Sequence, residues 1–150
     1  MTRSRLFVTA ALLAALASPA FAGEVSKDVA FALDQWIDLQ STDGPVTLHR
    51  VRLARQSGVT KSKFLRPGNS EFLTDVQIQL EFSNSATKDW EAHINVQWLD
   101  GDGRAIDGYN DTESLDSESR NDDQTVTLST LKYGLERAKK LRIKIEYYPD

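Results

Sequence analysis

Three stretches of this chain alternate apolar and polar residues with a period of two, and that period constrains the fold more than anything else in it. Residues 75–83 read D-V-Q-I-Q-L-E-F-S, with Val76, Ile78, Leu80 and Phe82 on one side and Gln77, Gln79 and Glu81 on the other. Residues 90–98 repeat the pattern through Trp90, Ala92, Ile94, Val96 and Trp98, leaving Glu91, His93, Asn95 and Gln97 for water. Residues 141–148 do so again through Leu141, Ile143, Ile145 and Tyr147. A helix repeats every 3.6 residues and cannot keep such a pattern on one face. A strand with one buried and one wet face can, and such strands belong to antiparallel sheets.

Weaker strands fill the gaps. Residues 46–54 begin with Val46 and Leu48 in phase and then shift to Val51 and Leu53, which predicts a bulge near His49 and Arg50. Residues 124–131 alternate through Val126 and Leu128, and residues 104–109 read as a short edge strand. Asp100-Gly101-Asp102-Gly103 marks a hairpin, and Arg66-Pro67-Gly68-Asn69 fits a type II turn. Residues 41–45 and 83–89 are polar breaks. Residues 25–40 fit a strand period and a helical stripe almost equally; we expect a strand over 35–40, with an irregular or helical arm over 23–34. Six or seven short strands with turns between them predict an all-β protein: an antiparallel two-sheet sandwich, immunoglobulin-like or fibronectin-type-III-like.

The first 22 residues read as an address. Arg3 and Arg5 precede an apolar run from Leu6 to Leu16, and Ala20-Phe21-Ala22 supplies a small-residue cleavage site. The run is too short to span a bilayer, which takes about 20 residues. Cleavage after Ala22 would leave residues 23–150 as one domain with 16 basic and 22 acidic groups, a net charge of −6. The expected location is the periplasm or the medium, with no stable membrane insertion after cleavage. A negative chain is a poor partner for nucleic acid. The 150 residues include no cysteine, which excludes disulfides, thiolate metal sites and a cysteine nucleophile.

The hairpin region N-V-Q-W-L-D-G-D-G-R-A-I, residues 95–106, resembles the aromatic-x-aliphatic-Asp-x-x-Gly hairpin of FxLYD-type extracytoplasmic domains. The resemblance covers about a dozen residues. It implies a sandwich fold and an extracytoplasmic setting, and it implies no activity, since such domains serve as binding or structural modules.

Candidate sites follow from charge. Asp100, Asp102, Asp107 and Asp111 offer oxygen ligands at close spacing and suit Ca²⁺; the competing account is a solvated turn capped by its own carboxylates. Residues 100–123 hold nine acids against Arg104 and Arg120, and read as an edge strand followed by a long polar loop over 107–123. Basic side chains concentrate over 46–66 and 131–144. If those strands are neighbours, Arg50, Arg52, Arg142 and Lys144 form one positive surface, and Trp36 is a candidate exposed aromatic anchor beside it. His93 lies on the wet face of its strand, and there is no G-x-S-x-G elbow to pair with it. The first expectation is therefore an exported non-enzymatic module that binds a protein or envelope component. The alternatives are a small envelope hydrolase using carboxylates or His93, and a Ca²⁺-dependent module using the 100–111 loop.

Overall fold

The computed structural model describes residues 23–56 and 71–150. In chain order these residues form β1 (Gly23–Ala30), β2 (Ile37–Asp43), β3 (Val46–Arg55), β4 (Leu73–Asn84), β5 (Trp90–Leu99), β6 (Ala105–Leu115), β7 (Ser119–Leu131), a short helix α1 (Lys132–Arg137) and β8 (Lys140–Pro149). They build two four-stranded sheets, β1-β8-β5-β6 and β2-β3-β4-β7, with every pairing antiparallel. The chain is an all-β two-sheet sandwich.

The alternating residues make the core. Val76, Ile78, Leu80 and Phe82 from β4 meet Ala92, Ile94, Val96 and Trp98 from β5 and Leu141, Ile143, Ile145 and Tyr147 from β8 in one buried cluster. Burying each large side chain contributes roughly 1.5–3 kcal/mol before conformational entropy offsets most of it. The expected bulge in β3 is present: the register against β4 slips between Leu48 and Arg50, so Val46, Leu48, Val51 and Leu53 all face inward.

Eight strands are present where six or seven were expected, and the difference lies at the sheet edges. The arm expected to be irregular or helical over 23–34 is largely β1. All eight of its residues pair with β8, from Gly23 opposite Tyr147 to Ala30 opposite Lys140. An edge strand needs few apolar residues, and β1 buries Val25 while Val29 packs partly against the core. The polar loop expected over 107–123 is likewise two strands and a turn. β6 stays paired with β5 until Leu115 meets Trp90, and β7 starts at Ser119. The turn between them uses Glu118 in the left-handed region, with φ 54°. The turn expected at Arg66–Asn69 lies outside the described residues.

One buried polar side chain organises the crossover from β4 to β5. Asn84 is fully buried, its Nδ2 donates to the carbonyls of Lys88 and Leu115 at 3.1 Å each, and its Oδ1 accepts from the Ala86 N–H at 3.0 Å. A buried amide satisfied in this way fixes a connection without leaving an unmade hydrogen bond.

Candidate binding surfaces

The expected single basic surface does not form, because β3 and β8 belong to different sheets. Their outward residues lie on opposite sides of the sandwich, where Arg50, Arg142 and Lys144 pair with acids and Arg52 with an amide. On the β2-β3-β4-β7 face, Arg50 donates through Nε and Nη2 to Glu81 Oε2 at 3.0 and 2.6 Å. Arg52 donates to Gln79, which bonds Gln77 in turn. Trp36 is half-buried rather than an exposed anchor: both guanidinium carbons lie 4.4 Å from its ring centroid. On the β1-β8-β5-β6 face, Arg142 holds Asp28 in a two-point contact at 2.9 and 2.8 Å, and Lys144 lies 2.6 Å from Glu146 and 3.8 Å from Glu24. The Arg142 hydrogen bond lowers the Asp28 carboxyl below its usual range, and Lys144 does the same to Glu146.

The four aspartates expected to bind Ca²⁺ are not brought together. Asp100 Oδ1 accepts from the N–H groups of Arg104 and Asp102 at 2.9 Å each, which closes the hairpin turn and lowers its carboxyl pKa. Asp107 accepts from Thr130 at 2.6 Å and from the Gly108 N–H at 2.8 Å. Asp111 sits four residues and so roughly 13 Å further along β6, where it accepts from the Thr112 N–H. Among the described residues no group of three or more His, Cys, Asp or Glu is arranged to hold a metal ion. Backbone N–H groups and the Thr130 hydroxyl claim Asp100, Asp107 and Asp111, and sequence spacing alone does not show that.

Neither histidine is poised for nucleophilic catalysis. His93 Nε2 donates to Asn110 Oδ1 at 2.6 Å, and the depression around it holds Glu146 and Lys144 but no hydroxyl. His49 does meet a serine, a contact that sequence spacing did not reveal. Its Nε2 lies 2.8 Å from Ser83 Oγ, but that oxygen already accepts the Asn121 N–H at 3.0 Å. The contact joins β3, β4 and β7 and leaves Ser83 committed to a backbone donor.

What remains unbalanced is one edge of the sandwich. β6 and β7 are the last strands of their sheets and contact each other. Residues 105–131 carry Asp107, Asp111, Glu113, Asp116, Glu118, Asp122 and Asp123 against Arg120 alone, a charge of −6. The rest of residues 23–150 holds 15 acids and 15 bases. Three of those bases, Lys61, Lys63 and Arg66, lie outside the described residues; among the described ones this edge carries −6 of a net −9. Inside it, Tyr109 donates to Glu113, and Gln124 donates to the other Glu113 oxygen at 2.9 Å. Partial burial together with Glu113 raises the Tyr109 pKa well above the ordinary phenol value.

At one end of the sandwich lies an open cleft of about 480 Å³ floored by Phe31, Leu33, Val76 and Leu135, with Arg55, Lys132 and Glu136 at its mouth. Phe72, Leu131 and Tyr133 are exposed large hydrophobics, and Phe72 and Leu131 flank the same end of β4 and β7. Compared with known proteins, the chain matches no family model and no curated protein. Among the described residues no helix is long and apolar enough to cross a membrane.

Proposed function

We propose that this protein is an exported, non-catalytic binding or structural module of the bacterial envelope, and that its β6–β7 edge meets a basic partner, either a protein or another envelope component. One observation carries the reading: Arg50, Arg142 and Lys144 on the broad faces pair with acids and Arg52 with an amide, while the edge formed by β6 and β7 holds a charge of −6. Uncompensated charge on one side speeds encounter with an opposite surface and fixes its orientation. The leader-like residues 1–22 and the resemblance of residues 95–106 to extracytoplasmic hairpins support export. The two sheets supply a rigid frame for the edge.

Capture of interacting molecules from an envelope extract at low and high salt tests the proposal. The comparison is between the natural chain and a variant with Asp111→Asn, Asp116→Asn, Glu118→Gln, Asp122→Asn and Asp123→Asn. Capture should fall with rising salt and be lost in the variant. Capture indifferent to both would overturn the reading.

A further inference from the structure

The two broad faces treat their polar side chains differently. On the β2-β3-β4-β7 face the long polar groups bond one another, as in Arg50–Glu81 and the Arg52–Gln79–Gln77–Thr127 chain. On the β1-β8-β5-β6 face, the carboxamides of Asn95 and Gln97 bond no described residue. Asn110 uses only its Oδ1, toward His93. These amides line two adjoining depressions of about 250 and 190 Å³ that share Asn95 and Asn110. Together they make one shallow groove along β5 and β6. From His93 to Gln97 it runs about 13 Å, four residues of strand.

The groove has an unbuilt place in its wall. Gly108 lies opposite Gln97, and a Cβ there would come within 2.5 Å of the Val96 carbonyl oxygen. No side chain is tolerated at that point, so the groove stays open.

We infer that this groove is a binding site for a neutral oligosaccharide. The lining decides the class. Each carboxamide presents a donor and an acceptor side by side, which complements the paired hydroxyls of a sugar. Lys144 and Glu146, at one end, neutralise each other at 2.6 Å, and Asp107, at the other, is held by the Thr130 hydroxyl and the Gly108 N–H, so no charged side chain is left unengaged to select a charged ligand. No large aliphatic side chain lines either depression; the apolar lining is Ala105 and the ring of Tyr109. Strand addition is also closed off, because β5 is paired on both sides, with β6 and with β8. The groove adjoins the acidic edge through β6 and Asp107, but Asn95 and Gln97, the residues that test it, lie on β5 and outside the charges that test the edge.

Nuclear magnetic resonance titration of the purified protein with cellotetraose and with tetra-N-acetylchitotetraose tests the inference. Addition of at least one should shift the side-chain amide signals of Asn95, Gln97 and Asn110 and the backbone signals around His93 and Gly108. Asn95→Ala combined with Gln97→Ala should weaken that binding roughly tenfold or more. Neither side chain bonds a described residue, so the variant should melt like the natural chain; a variant that does not is replaced by Asn95→Ser with Gln97→Ser, judged by the same loss. Absence of shifts with both sugars at millimolar concentration, shifts centred elsewhere, or affinity unchanged in the variant would each overturn it.

Discussion

Thr130 on β7 donates its hydroxyl to Asp107 on β6 at 2.6 Å, and with the Gln124–Glu113 bond this ties the last strand of one sheet to the last strand of the other. Thr130 is almost fully buried, and the bond is made to a carboxylate. Hydrogen bonds to charged groups contribute about 1.5–3 kcal/mol. Asp107→Ala and Thr130→Val should each lower the unfolding free energy by about that amount, read from urea denaturation. The double variant should lose little more than either single one, because both remove the same contact. Additive losses would show that the two residues act separately.

Calcium should leave stability untouched. A ligand that binds only the folded state raises the melting temperature by mass action. With Asp100, Asp107 and Asp111 engaged by separate N–H and O–H donors, no such binding is expected. Thermal melts in millimolar Ca²⁺ and in EDTA should superimpose.

Neighbouring residues of β4 should differ sharply in tolerance. Leu80 is fully buried and Gln79 lies on the outer face. A carboxylate at position 80 would be left unpaired in the core, which costs several kcal/mol. Leu80→Asp should therefore abolish the cooperative thermal transition. Gln79→Glu, which keeps an acceptor for Arg52, should melt close to the natural chain.

Trp36 should contribute stability through its two arginines. Each cation–π contact at a partly exposed site is worth about 0.5–1 kcal/mol. Trp36→Ala should cost about 1–2 kcal/mol by denaturant midpoint, and Trp36→Phe noticeably less. An alanine variant as stable as the natural chain would show that the ring merely rests on the guanidinium groups.

The Asp28–Arg142 contact should show in the acid limb of stability. Arg142 holds the folded carboxyl below its unfolded value, which is about 3.9. The contribution is therefore complete above that value and is lost as pH falls through the lower folded one. Urea midpoints of the natural chain and Arg142→Met should differ at neutral pH and converge below about pH 4. A gap that persists in acid would assign the loss to packing of the arginine stem instead.

The interior strands were legible in the sequence and the margins were not. β4, β5 and β8 have neighbours on both sides and one face in the core, so each must place an apolar residue at every second position. β1 and β6 have a single neighbour, and much of β6 faces water. Between Tyr109 and Leu115, β6 has no apolar residue at all, and its extended form is imposed by pairing with β5. Local sequence cannot register that pairing, so the segment read as loop. α1 is six residues long, too short to print a helical period. The surfaces were legible only as composition. The acidic excess and the outward placement of His93 could be read directly. Which base meets which acid depends on strand order: Arg50 finds Glu81 across 31 positions and Arg142 finds Asp28 across 114.

Both sheets of the sandwich stop at β6 and β7, and an unfinished sheet margin is where a second chain could hydrogen-bond and lengthen it. Here that margin carries the same sign on every copy. Two molecules approaching rim to rim repel before their backbones can align, so at high local concentration this side resists fibre growth while staying open to a partner of the opposite sign.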